Sequence, residues 1–129
     1  MLFDAPVISQ VSNDARTIET NLKQEARGKD MLMIWTDCDR EGENIGAEVA
    51  RVCRRANPNI QVKRARFSAI IAQQIHRAAQ HPVELDMAQA DAVEARTILD
   101  LRIGAAFTRM QTLALQSRVK DLSMCSYGT

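Results

Sequence analysis

A chain of 129 residues with 46% hydrophobic and 26% charged content has the composition of an ordinary soluble globular protein, with room for one modest domain around one core. A formal net charge of +1 excludes a globally basic nucleic-acid binder, so contact with a polyanion has to come from local clusters. No apolar stretch approaches a membrane span and no signal peptide opens the chain; the three cysteines, Cys38, Cys53 and Cys125, are widely spaced, form no zinc or dithiol pattern and point to a reducing compartment.

The first predicted element is a short extended run, Ala5 to Val11, with Pro6 at an edge or entry position. Ser12, Asn13 or Asp14 is placed to cap a helix whose apolar stripe is Ala15, Ile18, Leu22 and Ala26, and Gly28 is its natural stop. Met31 to Thr36 is a brief apolar run without Gly or Pro and predicts a buried strand. After an acidic turn, Ile45, Val49, Val52 and Cys53 mark the buried face of a second helix, which Asn57-Pro58-Asn59 breaks. Ile60 to Phe67 predicts a second parallel strand, and Ser68 the cap of a third helix ending near Gln80. Helix, strand, helix, strand, helix in succession predicts an α/β fold with a parallel sheet layer. His76 and His81 are five apart, do not share a helix face well, and are read as non-ligands.

His81-Pro82 closes that unit, and a boundary is predicted near residue 84. From Asp86 an Ala-rich stretch runs to Gln116 with Gly104 as its main breaker, predicting one long helix or two that meet there. The tail, Ser117 to Thr129, carries no evident terminal element.

The run Asp37-Cys38-Asp39-Arg40-Glu41-Gly42 carries the chemistry. Three carboxylates at alternate positions repel one another unless a cation holds them. Oxygen ligands without His or Cys suit Mg2+ rather than Zn2+, and open α/β sheets place ligands at the carboxyl ends of their strands. A strand-end Mg2+ site is therefore expected at Asp37, Asp39 and Glu41. Two other readings compete. Acidic residues also favour helix N-termini with no ligand at all. The spacing also matches an EF-hand loop, with Gly42 at the sixth position and Glu48 at the twelfth. That loop requires a helix directly before it, where Met31 to Trp35 reads as a strand, and its usually apolar eighth position falls on Asn44.

Thr36-Asp37-Cys38-Asp39-Arg40-Glu41-Gly42-Glu43-Asn44-Ile45-Gly46 resembles the acidic motif of the Toprim domain in type IA DNA topoisomerases, and its Cys38 and Asn44-Ile45-Gly46 are most similar to the eukaryotic topoisomerase III branch. Ala95 through Arg109 resembles the helix that follows Toprim in that family, where the DNA-gate region begins. Leu2-Phe3-Asp4-Ala5-Pro6-Val7 looks like the segment ahead of the acidic strand, and Ser126-Tyr127-Gly128 matches the start of a further family signature. The resemblance covers nearly the whole length. It implies a partial, Rossmann-like Toprim layer over residues 1–84, lacking its first strand, and the start of the central gate domain over 85–129.

By that similarity the full enzyme cuts and reseals one DNA strand without ATP. A tyrosine hydroxyl exchanges one phosphodiester for another, so bond energy is conserved and no nucleotide is hydrolysed. The resemblance makes Asp37, Asp39 and Glu41 ligands of Mg2+, some through water. Arg40, Arg96, Arg102 and Arg109 become contacts to single-stranded DNA, and Asp100 orients an arginine. On one helix the three later arginines share a face only in part. Arg51, Arg54, Arg55, Lys63, Arg64 and Arg66 form either a basic surface or a merely solvated one. The implied partners are a RecQ-family helicase and an OB-fold accessory protein, with no membrane. The implied location is the nucleus, with mitochondria as a second compartment.

This chain departs from the family pattern in three places. It has no Tyr-Pro-Arg-Thr-like segment, and its sole tyrosine, Tyr127, belongs to the Ser-Tyr-Gly signature, so no catalytic nucleophile is assigned. The strand supplying the family's first glutamate is expected to precede Leu2, which implies a piece of a longer enzyme that is inactive alone. Ala69 and Ile71 stand where relatives usually carry an acidic residue and a threonine. The rival functions are another Toprim enzyme, a primase or nuclease, which leaves Arg96–Arg109 unexplained, and a non-catalytic DNA-binding relic.

Overall fold

A computed structural model of the chain describes residues 5–8, 10, 12–116, 118 and 119. The expected Ser126-Tyr127-Gly128 signature and Leu2 to Asp4 lie outside the described residues. The chain divides into two compact units, one of residues 10–93 and one formed by the segments 1–9 and 94–129.

In the first unit a single 3-10 turn, Asn13–Ala15, leads into α1, Arg16–Ala26. Strand β1 is Met31–Ile34, α2 is Arg40–Ala56, β2 is Gln61–Arg64 and α3 is Ala72–Gln80. The two strands pair in parallel, Met31 opposite Gln61 through Ile34 opposite Arg64, so β1, α2 and β2 form a crossover unit. A bridge between Arg64 and Val83 adds an antiparallel contact on the far side of β2. The core is Ala26, Ile34, Ala50, Cys53, Ile60 and Val62, with Leu22, Leu32, Val49, Ala56 and Leu85 packed around it. The α/β class and the parallel layer are as expected. A strand directly before the acidic turn removes the EF-hand reading.

Several local expectations are corrected. Among the described residues of 5–11 none is in a strand. None of Ser12, Asn13 and Asp14 caps α1: its N-cap position falls to Ala15, without a side-chain bond, because the 3-10 turn intervenes. Ile18 is exposed, so only Leu22 and Ala26 of that stripe reach the core. Of the expected face of α2, Cys53 is buried and Val49 packs against the core, whereas Ile45 is exposed and Val52 only half-buried; the residues buried on α2 are Gly42, Glu43, Gly46, Ala47, Ala50 and Cys53. Small side chains let α2 lie close on β1. A Cβ on Gly46 would stand 2.9 Å from Ile34 Cγ2 and 3.0 Å from Leu85 Cδ2.

Turn chemistry explains the remaining joints. Gly28 takes φ +69, a left-handed conformation suited to glycine, just after α1. Asn57 at the end of α2 donates through Nδ2 to the carbonyls of Ala26 (3.0 Å) and Lys29 (2.8 Å), tying the two helix ends together. Ser68 does not cap α3. Gln74 instead reaches back, and its Oε1 accepts from Ser68 N, Ser68 Oγ and Ala69 N at 2.8–2.9 Å. The N-cap of α3 is Ile71, which offers no acceptor; a threonine there would have one. Nothing in the structure explains Ala69.

Helix α4 runs unbroken from Met87 to Gln116, through Gly104. Asp86 caps it, accepting from Gln89 N at 3.2 Å and from Gln89 Nε2 at 2.8 Å.

Candidate metal and nucleic-acid site

Strand β1 ends at Ile34, and the chain then turns through Trp35 to Asp39 into α2. Asp39 is extended (φ −136, ψ 178), and its Oδ1 accepts from Gly42 N at 2.7 Å, the capping bond a helix start favours. Thr36 Oγ1 donates to Gly42 O at 2.7 Å, closing the loop from the strand side. Gly42 itself is pressed on the loop: a Cβ there would lie 1.8 Å from Asp37 O. Only glycine permits that approach. Cys38 Sγ accepts from Phe67 N at 3.2 Å, and the Trp35 and Phe67 rings lie 6.0 Å apart, so the loop after β2 is fastened to the acidic loop.

Asp37, Asp39, Arg40 and Glu41 are all exposed. Asp37 and Asp39 stand in the loop after β1 and Arg40 and Glu41 in the first turn of α2, so all four lie at the carboxyl end of β1. Among the described residues, however, no three His, Cys, Asp or Glu side chains converge as a metal cage. The donor set still fits Mg2+, which keeps several waters and is commonly held by one or two carboxylates together with a substrate's phosphate. Asp39 has committed Oδ1 to its cap, which leaves Oδ2 as its free ligand atom. The reading of the acidic cluster as a helix start is thus true in part: one of the three acids caps α2, and Glu41 sits in its first turn.

Behind this loop lies a polar centre that the sequence reading missed. Arg64 is 0% exposed and Glu43 is 2% exposed. Arg64 Nε donates to Glu43 Oε1 at 3.0 Å. Its Nη1 donates to the carbonyls of Ala65 (2.9 Å) and Ile34 (3.3 Å), and its Nη2 to that of Asp37 at 2.6 Å. The other oxygen of Glu43 accepts from Asp86 N at 3.0 Å, and Arg66 Nη2 approaches Glu43 Oε1 at 3.5 Å. Arg64 therefore does not belong to a basic surface. The available signal was Glu43, which stands on the α2 face occupied by Gly46, Ala47 and Ala50. A carboxylate on an apolar face demands a buried cation.

The later arginines lie on α4, in the second unit. Arg96 Nε is 3.7 Å from Asp100 Oδ2, one helical turn on, with both side chains largely exposed. Arg102 is half-buried and its Nε has no hydrogen-bond partner among the described residues. Arg109 is exposed and, with Asp100, Gly104 and Thr108, lines a groove of about 670 Å³ along the helix. Asp86 is held below the usual carboxylate range, first by the Gln89 amide and then by the Gln89 side chain. Burial pushes the Cys53 thiol up.

No helix among the described residues is long and apolar enough to cross a membrane. Residues 5–70 match the Toprim domain. The chain is 50% identical to DNA topoisomerase 3 of Caenorhabditis elegans over 99% of its own length. It is 48% identical to DNA topoisomerase 3 of Schizosaccharomyces pombe and 51% identical to DNA topoisomerase 3-alpha of Drosophila melanogaster, again over 99% of its length. It spans 18%, 21% and 10% of those three relatives. Strand, acidic loop and helix thus coincide with a domain match over half the chain and with near full-length similarity to the topoisomerase 3 proteins: the chain belongs to the Toprim domain family.

Proposed function

We propose that this chain is the Toprim segment of a type IA DNA topoisomerase, one that changes DNA topology by transient, ATP-independent cleavage and resealing of a single strand. The observation that carries the reading is the placement of Asp37 and Asp39 on the loop after β1 and of Glu41 in the first turn of α2, all exposed at the carboxyl end of β1, in a chain similar throughout to proteins named DNA topoisomerase 3. Carboxylate oxygens at that loop suit Mg2+, which supplies positive charge against the phosphate at the break. Asp37, Asp39 and Glu41 are the residues that would hold it. Arg40 is the first residue of α2, between Asp39 and Glu41, where its guanidinium suits a backbone phosphate. Arg96, Arg102 and Arg109 on α4 are proposed to meet single-stranded DNA, with Asp100 keeping Arg96 extended. Residues 1–84 would then form the partial Toprim layer and 85–129 the start of the gate domain.

The same reading carries a nuclear location, with mitochondria as a second site, and a RecQ-family helicase and an OB-fold protein as partners. The test is cleavage and resealing of a labelled single-stranded oligonucleotide by the whole enzyme, with D37N, D39N and E41Q compared one by one. Resealing is expected to fall by more than about tenfold in at least two of them, the scale of losing a charged stabiliser. Wild-type resealing in all three would remove the metal role.

A further inference from the structure

We infer that Arg64, neutralised by Glu43, is a positioning residue that sets the acidic loop through its main chain while leaving the loop's carboxylates free for a cation. The inference rests on the metal reading proposed above and adds residues to it. A guanidinium that reaches the main chain of an acidic loop has carboxylates of that loop as alternative partners. Here all four of its bonds on this side go elsewhere: to one oxygen of Glu43 and to the carbonyls of Ile34, Asp37 and Ala65. Ile34 is the last residue of β1 and Asp37 the first acid of the loop, so one planar group fixes both ends of the turn between them. The same side chain is the last residue of β2, anchored by Arg64 N to Val83 O and Val83 N to Arg64 O. Glu43 follows the loop on α2 and is held in turn by Asp86 N. Strand ends, loop and helix start are thereby set by a single network with little freedom to shift.

The charge balance matters as much as the geometry. With Glu43 in place the buried cation is cancelled by a carboxylate that is itself buried, and the exposed acids keep their negative field. Outer groups of this kind, which orient ligands without touching the ion, typically tune metal affinity by about 10- to 100-fold. Two substitutions separate the parts. R64K keeps the charge but loses the planar fork that reaches three carbonyls at once. E43Q keeps the shape and leaves the cation uncompensated behind the loop.

The test uses Mn2+ as the probe, with binding to the full chain followed by the loss of its free-ion electron paramagnetic resonance signal. Near-ultraviolet circular dichroism confirms folding. R64K and E43Q are each expected to weaken Mn2+ binding by about tenfold or more while the folded spectrum is retained. Folded variants that bind Mn2+ as wild type does would overturn the inference. If wild type binds no Mn2+, or D37N and D39N bind it normally, the acidic loop itself fails as a metal site and Arg64 falls with it. If D37N and D39N lose binding and folded R64K does not, only the role of Arg64 fails. Should neither Arg64 nor Glu43 variants fold, the wild-type chain still decides. Its Arg64 Nε–H resonance should be shielded from exchange and should move on Mg2+ addition in wild type but not in D37N; a resonance indifferent to Mg2+ refutes the proposal.

Discussion

Replacing Gly42 with alanine should be among the most damaging single-methyl changes this chain can suffer. The added Cβ would stand 1.8 Å from Asp37 O and 2.8 Å from Asp37 C. Both are backbone atoms, so no side-chain rotation relieves the overlap, and the loop must move by more than about 1 Å to reach van der Waals separation. That movement pulls Asp37 O from Arg64 Nη2, now 2.6 Å away, and strains the Thr36 Oγ1 to Gly42 O bond. Overpacking costs about 1–3 kcal/mol, and an orphaned buried donor about 1–3 kcal/mol more. The helix-forming advantage of alanine returns at most about 1 kcal/mol. A net loss of about 1–5 kcal/mol corresponds to a fall in Tm of roughly 3–20 °C for a domain of this size. G46A is the internal control. Its clashes are with the methyl ends of Ile34 and Leu85, which can give way, and about 1 kcal/mol is expected. Thermal melts followed by far-ultraviolet circular dichroism decide the order. A G42A protein that melts within 2 °C of wild type, or above G46A, would refute the close approach of α2 to the loop.

Four further outcomes are expected. Ile71→Thr gives α3 the capping oxygen it lacks, at an exposed position, and should stabilise by about 0.5–1 kcal/mol in urea titration; destabilisation would show that Ile71 contributes packing. Asp86 has its carboxyl held low by Gln89, so its contribution is present above the unfolded value and disappears as pH falls through the lower folded value. Wild type should therefore lose more stability than D86N on acidification, and parallel stability curves below pH 5 would count against the cap. Cys38 is exposed while Cys53 is buried with its thiol pushed up, so alkylation mapped by mass spectrometry should mark Cys38 well before Cys53; equal rates would show an open core. The 129-residue chain on its own, lacking a Tyr-Pro-Arg-Thr-like segment, should leave supercoiled DNA unrelaxed on an agarose gel, and turnover would identify a nucleophile elsewhere.

The repeating elements were legible because their signals are local. An apolar run without breakers gave β1, Asn57-Pro58 ended α2, and the Ala-rich stretch carried α4 through Gly104, where the surrounding helix formers outweigh one glycine. Caps were less legible, since Ser12 and Ser68 have the right chemistry but the chain turns before or after them. The largest error concerned Arg64, placed with the surface arginines because its type is rarely buried. Its partner lies 21 positions away, on another element, and only tertiary structure joins them. The acidic loop was visible as a motif. What its residues do to one another was not: that Asp39 caps, and that Gly42 is wedged against Asp37, depends on the entry angle of α2.

The Arg64 centre also bears on how the domain assembles. Its acceptors come from the end of β1, the acidic loop, the residue that follows β2 and α2. A chain with β2 docked but α2 undocked would leave a bare cation in an apolar interior, a state several kcal/mol uphill. Intermediates with one element missing are thus penalised, and strands of only four residues are obliged to form together with their crossover helix or not at all.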